Sequence, residues 1–262
     1  MSTDVIAEVK RDYIISLLQQ GERIDGRKFY EYRNISVETG KFEKAEGSAL
    51  VKIGNTQVLV GVKLGIGEPY PDSPDMGVLT TSAELVPLAS PTFEPGPPDE
   101  NAIELARVVD RGIRESECID FEKLCIVEGE KVWIVFVDIH VLDYDGNLFD
   151  ASSLGAIAAL LNTKFPKLED DRIIYSEKTN QSLPIIEKPI ETTFAKINNK
   201  IVLDPNLDEE LVMDARLTIA TTEKGEYCAL QKGGSGTFSQ EEILEIIDVS
   251  IEKSKELRKF LR

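Results

Sequence analysis

Cations, histidine, cysteine and long apolar runs are all scarce in this 262-residue chain, and each shortage removes a class of function. Its 30 Lys and Arg residues face 47 Asp and Glu, a formal net charge of −17. Such a surface repels nucleic acid as a whole, so any RNA or DNA contact has to be local. The one histidine, His140, lies between Ile139 and Val141 in an apolar stretch, with no Ser or Cys motif to pair with it. A lone strand histidine of this kind reads as a hydrogen-bonded structural residue rather than a catalytic base. Three cysteines, Cys118, Cys125 and Cys228, are odd in number and lack C-x-x-C spacing. That argues against a disulfide framework and a zinc site, and leaves buried, reduced thiols as the expectation. No segment approaches the ~18 uninterrupted apolar residues of a membrane helix. Acids and amides occupy the N-terminus where a signal peptide would be apolar, so the expected location is cytoplasmic, away from membranes.

What is present is a 42% hydrophobic chain with enough apolar material for a real core. Residues 3–20 read as an amphipathic helix closed by Gly21, with Val5, Val9, Ile14, Leu17 and Leu18 as its apolar positions. Strand signals follow in SALVKI (48–53) and TQVLVGVKL (56–64) around Gly54-Asn55, a glycine-first hairpin turn, and then in SAELVPL (82–88). A Pro/Gly-rich loop, PTFEPGPP (91–98), leads to a helix, and KLCIVE (123–128) and VWIVFVDIHVL (132–142) follow it. The second of these is apolar enough for a central strand. SSLGAIAALLNTKF (152–165) suits a helix packed tightly on a sheet. The second half continues with TTFAKI and KIVLD around Asn198-Asn199, RLTIATT (216–222), EYCALQK (226–232) and a last helix. Ser239 and Glu242 give that helix a capping-box start, and Lys253, Lys255, Arg258, Lys259 and Arg262 suit the negative end of its dipole. The order of elements predicts a mixed α/β (α+β) architecture: a helix over residues 1–22, then one compact domain over 23–262.

The usual catalytic patterns are missing. Lys232-Gly233-Gly234-Ser235-Gly236 lacks the Walker spacing and Gly65-Ile66-Gly67 fails the dinucleotide fingerprint, so both read as turns. Asp143/Asp145 and Asp204/Asp208/Glu209/Glu210 could in principle ligate a divalent ion, but Asp145-Gly146 and Asp204-Pro205 are turn dipeptides and the acids read as turn and cap residues. No metal or cofactor is expected.

The helix over 99–117, DENAIELARVVDRGIRESE, is the exception to the acidic composition. Arg107, Arg111 and Arg114 are spaced i, i+4, i+7 and fall within one narrow arc. Ala102, Leu105, Ala106, Val108, Val109, Gly112 and Ile113 cover the other side. Glu104, Asp110 and Glu115 are near enough in sequence to form surface ion pairs with the stripe, so a plain solvated face competes with a ligand-binding one.

Six segments, in order, resemble the RNase PH family, in the non-catalytic branch found in archaeal exosome rings. They are Arg23-Ile24-Asp25-Gly26-Arg27, GSALVKIGNTQVLVGVK (47–63), FEPGPPDENAIELARVVDRGIRES (93–116), LDYDGNLFDASSLGAIAAL (142–160), VLDPNLDEELVMDA (202–215) and LQKGGSGTFS (230–239). The resemblance implies an RNase PH-type fold of mixed sheets and packed helices in two βαβ-type halves. It also implies a hexameric ring with three copies each of this chain and a catalytic paralogue. Cap proteins with OB-type or KH domains would cover one face, and single-stranded RNA would enter and be degraded from its 3′ end. Inorganic phosphate would be used in the partner's active site, and no cofactor by this chain.

The catalytic branch of that family carries an arginine pair at the start of this helix, a Gly/Thr-rich phosphate loop and an aspartate on a later strand. Glu100-Asn101 stand at the first position, Asp145 to Asp150 at the second and Arg216 at the third, with Asp214 two residues out of register. Acid at a helix N-terminus opposes phosphate binding, and a guanidinium cannot act as a base. No catalytic residue is therefore expected in this chain. Arg107 and Arg111, and with them Arg114, are expected to bind RNA backbone beside the partner's active site. A self-sufficient phosphorolytic exoribonuclease and an acidic scaffold without RNA contact remain the alternatives.

Overall fold

The computed structural model describes residues 2–169 and 172–261, with side chains throughout except at residues 2–8 and 176. Five helices and twelve strands are found in these residues: α1 (Ser2–Gln19), α2 (Glu100–Glu115), α3 (Leu148–Asn162), α4 (Leu207–Val212) and α5 (Gln240–Arg258), with β1 (Ile35–Thr39), β2 (Gly47–Ile53), β3 (Thr56–Gly67), β4 (Val78–Leu85), β5 (Cys125–Val127), β6 (Lys131–Asp143), β7 (Lys164–Glu169), β8 (Arg172–Ser182), β9 (Ile190–Ile197), β10 (Lys200–Leu203), β11 (Ala215–Thr221) and β12 (Tyr227–Gly233).

The strands form two main sheets and a ribbon. One sheet runs β1-β2-β3-β6-β4 with β5 on β6, the other β10-β9-β11-β12, and β7 and β8 form a two-stranded ribbon. As its apolar run predicts, β6 is central, antiparallel to β3 and parallel to β4. β4 reaches β6 through α2, and β10 reaches β11 through α4 across the intervening β9, so each half contains a β-α-β passage.

Burial follows from the layering. In β3 and β6 buried residues alternate with half-buried ones, the pattern of a sheet covered on one face. Every residue of β11 is buried and so is nearly every residue of β9, because the second sheet is covered on both faces. Phe194, Leu217 and Ile219 pack with Ile246 of α5 on one side. Glu191, Thr193, Arg216 and Thr218 look the other way, toward α2 and α3. Twelve of the fifteen α3 residues are buried. An apolar helix built from Ala, Gly and Ser suits a position between two sheets, and Gly155 makes the approach possible: a Cβ there would lie 2.9 Å from Cγ2 of Val60.

Several boundaries differ from the sequence reading. α3 begins at Leu148 rather than 152, because Asn147, at φ +55°, caps it by accepting from the Asp150 amide. Residues from Lys164 on belong to β7 instead of the helix. β4 covers 78–85 rather than 82–88, since the chain turns where Ala89 N bonds back to the Val86 carbonyl. β1, β7 and β8 carry weak alternation and are apparent only in the fold. On α1, Ile14 and Leu18 are buried against Ala195, Ile197, Val202 and Val212, but Val9 is 75% exposed, because the apolar contacts begin only at Ile14. The Val5 side chain and Arg262 lie outside the described residues. Cys118 is buried and free, and burial pushes its thiol up to about 12; Cys125 and Cys228 are free but only partly buried.

Candidate nucleic-acid interface

Helix α2 starts where Asp99 Oδ1 accepts from the Ala102 amide at 2.8 Å, and its buried residues are the seven expected from the sequence. Gly112 lets the helix settle onto the second sheet, since a Cβ at that position would lie 2.9 Å from Oε1 of Glu191. Arg107, Arg111 and Arg114 project from the opposite face and are exposed. Their environments differ. Arg114 is held bidentately by Asp110, at 3.0 and 3.1 Å, and also donates to the Leu79 carbonyl at 3.2 Å. Arg111 donates to Oε1 of Gln231 at 3.2 Å. Arg107 has no hydrogen-bond or ion-pair partner among the described residues, and with Thr81, Asp110 and Arg111 it lines a shallow depression of about 200 Å³.

Glu104 does not pair with the stripe as expected. It turns to the second sheet, where Oε1 accepts from Nη2 of Arg216 at 2.6 Å and from Nε2 of Gln231 at 3.4 Å. The reason is burial: Arg216 is 8% exposed, and a buried guanidinium needs a counter-charge more than an exposed one does. Arg216 also lies with Cζ 4.0 Å from the centroid of the Phe149 ring, while its Nε has no hydrogen-bond partner among the described residues. Opposite it on β12 is Gly233, where a Cβ would come within 2.8 Å of Nη2. Glu191 lies behind this group. Burial, and then the nearby Asp150 charge, raise its pKa well above the usual carboxylate range against the pull of Arg216 and Arg111.

The features expected of a phosphate site are replaced by internal bonding. Glu100 and Asn101 are exposed at the start of α2, above a cleft of about 480 Å³ lined in part by Glu104, Tyr144, Phe149, Glu210 and Arg216. Three amides of the 145–150 loop are already committed to other groups. Asp145 N donates to Thr56 Oγ1 at 3.1 Å, Asn147 N to Glu210 Oε1 at 2.7 Å and Asp150 N to Asn147 Oδ1 at 3.4 Å. Asp214 is likewise occupied: against the upward push of burial, hydrogen bonds from Arg11 and the Asn198 amide lower its pKa.

The other candidates are structural. Nδ1 of His140 lies 3.2 Å from Glu84 on the partly exposed face of β6. Asp204 is bound by Arg27 and Arg33, and Glu209 by Arg23, which explains the first motif as a clamp on the turn after β10. Among the described residues no group of three or more His, Cys, Asp and Glu could hold a metal ion, and no helix is long and apolar enough to cross a membrane.

Comparison with known proteins accords with this geometry. Residues 31–166 match domain 1 of the 3′ exoribonuclease family of RNase PH type, and residues 188–253 match domain 2. The exosome complex component Rrp42 of Thermococcus gammatolerans is 58% identical over 266 residues, covering 98% of this chain and 96% of that protein. A structure of the Archaeoglobus fulgidus exosome with RNA bound to the active site contains a chain 55% identical to this one. It superposes with a TM-score of 0.92 over 98% of this chain and 100% of that one. A chain of an archaeal exosome core is 50% identical, with a TM-score of 0.89 and full coverage of both.

Proposed function

Because the chain belongs to the 3′ exoribonuclease family of RNase PH type, we propose that it is a non-catalytic ring subunit of an exosome, which positions RNA for a catalytic paralogue. The observation that carries this reading is a contrast on one helix. The N-terminal end of α2, where phosphate would bind, is acidic, and amides of the neighbouring 145–150 loop are already bonded to Thr56, Glu210 and Asn147. The outer face meanwhile presents Arg107 without a partner, and Arg111 with a neutral one, among the described residues. Two neighbouring guanidinium groups on one face of a helix whose other face is buried bind phosphodiester oxygens and set the path of the strand without reading its bases. Arg114, tied to Asp110 and Leu79, is the least available of the three.

In this arrangement the paralogue performs the chemistry. Inorganic phosphate attacks the phosphorus of the last phosphodiester, the 3′ oxygen of the preceding nucleotide leaves, and a nucleoside diphosphate is released with the strand one residue shorter. This chain supplies the track along which each new 3′ end is held, which lowers the entropic cost of every cycle. The complex takes three copies of each subunit, carries RNA-binding cap proteins on one face and works in the cytoplasm, with no cofactor in this chain.

The test is nucleoside diphosphate release from 3′-labelled RNA in phosphate buffer. The chain alone is expected to release none, and an equimolar mixture with a catalytic RNase PH-type paralogue is expected to be active. Release by the purified chain alone would overturn the non-catalytic assignment.

A further inference from the structure

We infer that Gln231 is a positioning residue for Arg111, held in turn by Glu104 and Arg216, so that the guanidinium standing where the family's active branch has an aspartate anchors the RNA-binding stripe instead. This inference rests on the reading that Arg111 meets RNA backbone. Four side chains from three elements form one continuous chain. Arg216 of β11 donates to Glu104 of α2 at 2.6 Å, Gln231 of β12 donates to the same Oε1 at 3.4 Å, and Arg111 of α2 donates to Oε1 of Gln231 at 3.2 Å.

The sheet register brings these groups together. Arg216 pairs with Gly233 and Thr218 with Gln231, so Gln231 lies two residues along from the gap that Gly233 leaves for the buried guanidinium. Glu104 satisfies donors from both positions with one oxygen, which fixes the orientation of the Gln231 amide. Its carbonyl points toward Arg111 because its NH2 is already committed to Glu104.

The identity of the residue matters as much as its place. Arg107 at i−4 of Arg111 carries the same charge, whereas Arg114 at i+3 is compensated by Asp110, so a modest like-charge repulsion acts on the Arg111 guanidinium and a bond to Gln231 sets its place. A carboxylate would hold it and cancel its charge. An amide carbonyl holds it through one hydrogen bond and leaves the full charge for a phosphate. Glu191, beneath the same arginine, contributes the same economy of negative charge, since burial favours its protonated form.

The test is a double-mutant cycle in the assembled ring, with RNA affinity measured across a series of salt concentrations. Gln231→Leu is expected to weaken RNA binding about fivefold, the worth of one hydrogen bond. The slope of log affinity against log salt should not change, because no charge is removed. Arg111→Ala should weaken binding and lower that slope by about one. In the Arg111→Ala background, Gln231→Leu should have no further effect. If Gln231→Leu weakens binding equally in both backgrounds, or not at all while Arg111→Ala does, the positioning role is wrong and the RNA contact stands. If Arg111→Ala leaves affinity and slope unchanged, the RNA contact itself is wrong. Gln231→Ser, which keeps the strand polar but gives up the reach, replaces the leucine variant if the latter does not enter the ring.

Discussion

Asp150 and Asp204 share the Asn147 side-chain amide as a donor, at 2.9 and 2.7 Å, yet their surroundings push them in opposite directions. Burial raises Asp150 from 3.8 to about 6, with hydrogen bonds from Asn147, Tyr32 and Thr193 offsetting part of the shift. Burial acts on Asp204 as well, but Arg33 and Arg27 outweigh it and lower its pKa. The consequences for stability have opposite signs. Asp204 adds stability above its ordinary value that is lost as pH falls through its lowered one. Asp150 holds a proton in the folded state that the unfolded chain has already released between 3.8 and about 6, so its contribution falls as pH rises across that window. Comparison with Asp150→Asn isolates the second effect. Denaturant unfolding should show the variant gaining on the wild type by on the order of 3 kcal/mol between the ordinary aspartate pKa and neutral pH. A difference that stays flat with pH would mean that Asp150 is ionised in the folded protein throughout.

The elements show what a linear sequence carries and what it omits. The apolar arc and arginine stripe of α2 were legible because they follow from local spacing, while its cap at Asp99 is apparent only in the fold. α5 was legible through Ser239 and Glu242, which form the capping box expected of them. The start of α3 was not, since a left-handed Asn147 sets it four residues before the small apolar run begins. At the site, spacing put Arg107 and Arg111 on one exposed arc but left a solvated face as the rival, and only the family resemblance pointed to RNA, whereas the partners of Glu104, Gln231 and Arg216 depend on which strands pair and in what register. Gly155 belongs to the same class: nothing local marks it, yet it sets how closely α3 approaches β2 and β3. Gly155→Ala should lower stability by about 1–3 kcal/mol through overpacking against Val60 and Val51, despite the better helix propensity of alanine. Thermal unfolding measures this, and a stabilised variant would show that the two layers can separate without cost.

The whole molecule joins an acidic body to a small cationic exception. A net charge of −17 makes non-specific RNA adsorption unfavourable, so under the proposed function the few guanidinium groups that face outward are the ones expected to carry binding. The same sign makes the effect of those groups readable, because there is no broad basic field to mask their removal. Both arginines lie on the exposed arc of α2, opposite Leu105 and Val109, so replacing them should alter folding stability by no more than the roughly 0.5 kcal/mol of ordinary surface positions.

The most direct test is therefore RNA affinity against salt for rings assembled with the catalytic paralogue and either wild-type chain or the Arg107→Glu, Arg111→Glu double variant. The variant is expected to form rings of normal size and melting temperature and to bind every RNA sequence more weakly. Its salt slope should be shallower by about one for each phosphate that an arginine no longer neutralises. An affinity and slope equal to those of the wild type would contradict the account and make the stripe an ordinary solvated helix face.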